Sequence, residues 1–69
     1  MDFIKATQEL ISGNRIISDK CENGIPKELV LECGAVFVKV PRSKGAKADN
    51  YIFSSPKAEE ITSDEWRFA

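Results

Sequence analysis

The sequence predicts an α+β fold, in which an N-terminal helix and a short second helix accompany a mostly antiparallel sheet of four to five strands. Three observations support this class. Apolar residues recur at helical spacing at the N-terminus, short β-branched stretches follow, and glycine-containing turn signals separate those stretches. The 69 residues suffice for a single domain, 1–69.

The first element is a helix that Asp2 caps and that runs to about Ile11. Its apolar residues recur every three or four positions and predict one buried face. The members of that face are Phe3, Ala6 and Leu10, with Ile4 and Ile11 widening it. Gly13 follows the helix at the position where a C-terminal cap with left-handed backbone conformation is expected.

The next segment predicts strands. Residues 15–18 are short and β-branched, and residues 19–26 read as a turn with Asn23-Gly24 as its strongest signal. Residues 27–41 alternate in a strand-like pattern that Gly34 interrupts. This pattern fits either a hairpin around Cys33-Gly34 or one long bulged strand. We prefer the hairpin, because glycine supplies the backbone freedom of a tight turn.

The last third predicts a polar loop at 41–50, a strand at 51–53, a short helix and a final strand. Ser55 and Pro56 are typical of a helix start, as N-cap and first helical residue. Two acids, Glu59 and Glu60, then fall near that N-terminus, where we expect them to be solvated. Trp66 and Phe68 would share one face of the final strand.

Composition limits the classes of function. Ten basic and eleven acidic residues are well mixed and give a net charge of -1, so nucleic-acid coating and membrane-surface binding are not expected. No apolar run approaches a membrane span. We expect a cytoplasmic protein with reduced thiols. Because so short a chain has a small core, we also expect a homo-oligomer, as a dimer or tetramer.

The residue inventory argues against catalysis. The chain has no His, which removes the nucleophile pairs that depend on it and the commonest general base. The two Cys form no CxxC and make a poor metal set, so no metal is expected. Neither GxxxxGK[ST] nor GxGxxG occurs. We therefore expect a binding protein without a cofactor, and not an enzyme.

Two groups of residues are candidates for ligand binding. Arg42 and Lys44 make the 41–50 loop locally basic, which suits phosphates, although on this evidence alone a solvated loop is the preferred explanation. The rings of Tyr51 and Trp66 suit stacking on a base. The alternative is that these aromatics belong to the core.

The chain also resembles the phage Thoeris anti-defence sponge family of the second described type. The similarity begins with Phe3-x-x-Ala6, Leu10 and Gly13, followed by Arg15-Ile-Ile. It ends with Ile61-Thr-Ser-Asp64-Glu-Trp66, which looks like the short helix, acidic residues and Trp that close the family's chains. Ser54-Ser55-Pro56 falls near the family's turn, and Phe53 near a usual aromatic. Residues 18–22 lack the family's Arg and Trp, and the basic segment at 42–47 is not a family feature.

The resemblance implies a specific function. Such proteins sequester a small nucleotide signal, a cyclic ADP-ribose isomer, in pockets between subunits of a homo-oligomer, without cleaving it. Some members also take cyclic oligonucleotides. Carried over to this chain, Tyr51 and Trp66 would stack, Arg42 and Lys44 would bind phosphates, and Asp64 would accept a hydrogen bond from a ribose or amino group. Asp64 is equally well explained as a charge at the start of a strand.

A second class of function fits the same residues. A small inhibitor that blocks a host protein by direct contact would also be short, mixed in charge and without catalytic residues. A sponge needs a concave, partly basic pocket at a subunit interface, whereas a direct inhibitor needs an exposed patch.

Overall fold

The structure, a computed structural model, describes residues 1–42 and 51–69. In chain order the elements are α1 (Phe3–Ile11), β1 (Ile16–Glu22), β2 (Ile25–Glu32), β3 (Ala35–Pro41), β4 (Tyr51–Ser54), α2 (Ala58–Ile61) and β5 (Trp66–Phe68). The strands form one antiparallel sheet in the order β4-β3-β2-β1-β5. The predicted α+β class and element order are confirmed.

Helix α1 covers one face of the sheet. The Asp2 carboxylate accepts a hydrogen bond of 2.8 Å from the Lys5 backbone N–H, as expected of an N-cap. Ala6 is fully buried, and Phe3 and Leu10 pack against the core. Ile4 and Ile11, however, are 71% and 64% exposed, so the predicted widening of the apolar face is wrong. Ile4 and Ile11 are seven positions apart and so lie on the same flank of α1, which is turned to solvent.

The core lies between α1 and the sheet. Its members come from α1 and from strands β1, β2, β3 and β5, and all are buried: Ala6, Ile16, Leu29, Val38, Val40 and Trp66. Because side chains alternate along a strand, the opposite sheet face carries the intervening residues. No described element covers that opposite face, which we call the open face. It carries Ile17, Glu28, Val30, Phe37, Lys39, Tyr51, Phe53 and Arg67.

Two tight hairpins shape the sheet. Glu32 pairs with Ala35, which leaves Cys33 and Gly34 as a two-residue turn and confirms the predicted hairpin. Both turn residues have positive φ, 51° and 78°. Positive φ at both positions is typical of the type I′ turn, whose twist matches that of the flanking strands. The same geometry recurs at Asn23-Gly24 between β1 and β2.

Two predicted boundaries are wrong. The turn predicted over 19–26 is confined to Asn23-Gly24, because exposed polar residues extend β1 and β2 through backbone pairing, past a register irregularity between Ile17 and Cys21. The second helix begins at Ala58 with Lys57 as N-cap, so Ser55 and Pro56 precede it. Its start is set by the Glu60 carboxylate, which accepts a 2.8 Å hydrogen bond from the Lys57 backbone N–H.

Candidate ligand-binding site

The end of the β3–β4 hairpin gathers aromatic and basic side chains. Pro41 pairs with Tyr51 and Lys39 pairs with Phe53, so all lie on the open face or at its margin. The Lys39 ammonium sits 4.6 Å from the centre of the Tyr51 ring, a cation–π contact. Arg42 follows Pro41 directly and is exposed. We call Lys39, Arg42, Tyr51 and Phe53 the β4 cluster.

The β4 cluster can hold an anionic aromatic ligand. Tyr51 is half-buried and Phe53 is 47% exposed, so ring surface remains for stacking. Two cations lie within the same few residues and suit a phosphate. Sequence reasoning named Arg42 and Tyr51 but missed Lys39, whose position over the ring depends on the β3–β4 register.

Trp66 lies in the core. It is 1% exposed, meets Phe3 edge to face with ring centres 6.2 Å apart, and donates a 3.1 Å hydrogen bond from Nε1 to the Glu60 carbonyl. Its ring is therefore occupied by contacts within the chain, which favours the core interpretation over base stacking. Phe68 points to the same sheet face, as alternation predicts, but is largely exposed.

The remaining predicted residues lie elsewhere. Asp64 is exposed in the segment before β5, where its carbonyl accepts a 3.1 Å hydrogen bond from the Met1 amino group. Lys44 lies outside the described residues. Tyr51 and Trp66 belong to the two opposite edge strands, β4 and β5. The fold of a single chain therefore does not bring Tyr51 and Trp66 together.

A polar pocket lies beneath α2, at the end of the covered sheet face. Its volume is about 100 Å³, and its lining residues are Ser18, Lys20, Lys27, Glu59, Glu60, Ser63 and Trp66. A drug-sized ligand needs a cavity of roughly 300 Å³ or more. The pocket is thus too small for a nucleotide, which would have to bind elsewhere.

An ion pair stabilises this pocket. Lys27 and Glu60 are 3.0 Å apart, with side chains 16% and 8% exposed. Burial lowers the pKa of Lys27, but the hydrogen bond and charge of Glu60, together with the charges of Glu22 and Glu59, outweigh burial and raise that pKa above its ordinary value. The prediction that both helix acids are solvated is wrong for Glu60. Its partner is 33 residues away in sequence, so no local pattern indicated the pair.

Comparison of the chain with protein-family models, with curated proteins and with solved structures gives no match. Neither α1 nor α2 is long and apolar enough to cross a membrane. Within residues 1–42 and 51–69, no three acidic or cysteine side chains are grouped so as to hold a metal ion.

Proposed function

We propose that this chain is a cytoplasmic, phage-type anti-defence protein that binds and sequesters a small cyclic nucleotide signal between subunits of a homo-oligomer. The ligand is a cyclic ADP-ribose isomer or a cyclic oligonucleotide, and it is released uncleaved. The observation that carries the proposal is the β4 cluster, in which Lys39 lies over the Tyr51 ring and the exposed Arg42 follows Pro41, the strand partner of Tyr51.

The chemistry of the β4 cluster matches that of a nucleotide. A phosphate is bound by charge-assisted hydrogen bonds from Arg and Lys, and a base stacks on an aromatic ring. The Lys39 ammonium covers one face of the Tyr51 ring, which leaves the other face for a base and Arg42 for a phosphate. The cluster is shallow within one protomer. A second subunit over the open face would supply the enclosure that a tightly held ligand requires.

A thermal-shift screen tests the proposal directly. The purified protein is heated with cyclic ADP-ribose isomers and with cyclic di- and trinucleotides, and the ligand is recovered after denaturation. We expect one compound to raise the melting temperature and to be recovered intact, because a ligand that binds only the folded state stabilises it. No shift with any nucleotide contradicts the proposal.

Matched variants locate the site. Arg42→Ala and Tyr51→Ala should each weaken ligand binding by about tenfold or more, as expected for lost charge-assisted or stacking contacts. Lys5→Ala, which removes an exposed lysine from α1 on the covered side of the sheet, is the control and should leave affinity unchanged. Trp66→Phe tests whether Trp66 contributes to ligand binding, since phenylalanine keeps an aromatic ring in the core. An unchanged affinity in folded Arg42→Ala removes that residue from the site.

The direct-inhibitor alternative is favoured by one observation. Edge strand β4 contains no charged residue, and its Ile52 and Phe53 are 40% and 47% exposed. An uncharged edge strand is a template for pairing with another chain. A complex with a host defence protein that Ile52→Lys abolishes, together with no nucleotide binding, would select this alternative.

A further inference from the structure

The open face carries a row of side chains that crosses all five strands at one level. Register places Lys39 beside both Phe53 and Glu28, and Ile17 beside both Glu28 and Arg67. From β4 to β5 the row reads Phe53, Lys39, Glu28, Ile17 and Arg67. Its first four members are therefore apolar, positive, negative and apolar.

This order is self-complementary. A two-fold axis that runs along the strands, above the line between β2 and β3, exchanges the two sides of the row. It places each Lys39 over Glu28 of a second copy, and each Phe53 over Ile17 of that copy. The next level of the face behaves in the same way, because Val30 pairs with Phe37 across the same line and both are apolar. Charges meet opposite charges, and apolar side chains meet apolar side chains.

The charges of the central pair are available for this contact. The Lys39 ammonium rests on the Tyr51 ring, and among residues 1–42 and 51–69 it forms no salt bridge. Glu28 accepts from Arg15 through both carboxylate oxygens, at 3.2 and 3.3 Å, and its side chain is 20% exposed. A carboxylate has acceptor sites for a second donor, so Lys39 of another copy can join the Arg15–Glu28 pair.

The area of the face suits a modest interface. The strands are 7, 8, 7, 4 and 3 residues long, so at about 3.3 Å per residue and about 4.8 Å between strands the face spans roughly 460 Å². Two such faces together bury roughly 800–1,000 Å², at the lower limit for a specific interface. A dimer of this kind depends on protein concentration.

We propose that two copies of this chain pack open face to open face across this two-fold axis, with reciprocal Lys39–Glu28 pairs at the centre. The inference rests on the self-association in the proposed function, but not on any ligand. In this arrangement Tyr51 and Arg42 lie at the rim of the interface, where a second subunit can enclose a ligand.

A charge-swap experiment tests the pairing. The two-fold axis creates two equivalent contacts between residues 39 and 28. In a dimer of Lys39→Glu each contact joins two glutamates, and in a dimer of Glu28→Lys each contact joins two lysines. Each variant should dissociate about tenfold or more readily than wild type, because like charges at an interface are strongly unfavourable. An equimolar mixture of the two variants restores opposite charges at both contacts and should form a one-to-one dimer. Sedimentation velocity and mass from light scattering measure each case.

Controls separate the interface from folding. Glu65→Lys makes the same charge change outside the sheet and should leave the mass unchanged. The Glu28→Lys variant could unfold because its new lysine faces Arg15. In that case the Arg15→Glu/Glu28→Lys variant, which restores an ion pair within the chain, is used in place of Glu28→Lys. Variants that keep the wild-type mass, or a mixture that stays monomeric, overturn this interface. In that case an oligomeric wild type still supports the proposed function, whereas a monomeric wild type contradicts both.

Discussion

At the scale of single residues, Glu60 links three parts of the molecule. Its carboxylate accepts hydrogen bonds from the Lys27 ammonium and from the Lys57 backbone N–H, and its carbonyl accepts one from Trp66 Nε1. These contacts join β2, the start of α2 and the core. Since Glu60 is buried, each contact forms with little competition from water.

Removing Glu60 should therefore be costly. We expect Glu60→Ala to lower the free energy of unfolding by about 3 kcal/mol, because it leaves the half-buried Lys27 charge without a partner. Lys27→Met/Glu60→Gln should recover part of that loss, since no unpaired charge then remains and Gln can still accept from Lys57. Urea denaturation followed by circular dichroism measures both variants. A double variant less stable than Glu60→Ala would refute this account of the pair.

The same ion pair predicts a dependence on pH. Because the pKa of Lys27 is raised on folding, its contribution to stability is complete below the ordinary lysine pKa of about 10.4 and is lost as pH rises through the higher folded-state value. The stability of wild type minus that of Lys27→Met should thus decrease on going from neutral pH to above that range. Other titrating groups are common to both proteins and cancel. A constant difference would show that the pKa of Lys27 does not change on folding.

At the scale of secondary structure elements, the two hairpins differ in how well their residues suit the turn. Asn23-Gly24 is the pair most favoured where both turn residues have positive φ, whereas Cys33 adopts a φ of 51° with a side chain poorly suited to it. The second hairpin is therefore the weaker of the two in local sequence.

Cys33→Asn should stabilise the protein. We expect a gain of roughly 0.5 kcal/mol in the free energy of unfolding, because Asn tolerates the left-handed conformation better. Cys33 is exposed, so no packing is lost. Asn23→Cys is the matched control at the first hairpin and should destabilise by a similar amount. Chemical denaturation under reducing conditions measures both, and a loss of stability in Cys33→Asn contradicts the turn assignment.

At the scale of the whole molecule, one sheet face is packed and the other is not. The core residues of the sheet lie on the covered face against α1, while Phe37, Tyr51 and Phe53 lie on the open one. Half of the six aromatic residues of the chain thus contribute little to the monomer core. Burial of this face between copies would add apolar area that the small core lacks.

Stability should therefore depend on protein concentration. We expect the melting temperature of wild type to rise over an about hundredfold increase in concentration, because association removes folded monomer by mass action. Lys39→Glu should show a smaller rise. Differential scanning calorimetry provides the measurement, and a melting temperature independent of concentration in wild type contradicts self-association.

Much of the fold follows from the sequence alone. Helical spacing around Ala6, the Asp2 cap, and the alternation around Gly34 specify α1 and the β2–β3 hairpin, since each depends on neighbours within a few residues. The absence of His likewise removes whole classes of chemistry without reference to the fold. Residue type alone made Arg42 and Tyr51 candidate ligand contacts, and the β3–β4 register pairs Tyr51 with Pro41, the residue before Arg42.

Tertiary structure alone decided the rest. The strand order places Tyr51 and Trp66 at opposite edges, and packing against Phe3 and Glu60 makes Trp66 a core residue. The Lys27–Glu60 pair and the cross-strand row on the open face join residues that are distant in sequence. Such contacts depend on strand order and on pairing between elements far apart in sequence, such as β1 with β5, which the burial of the whole sheet determines.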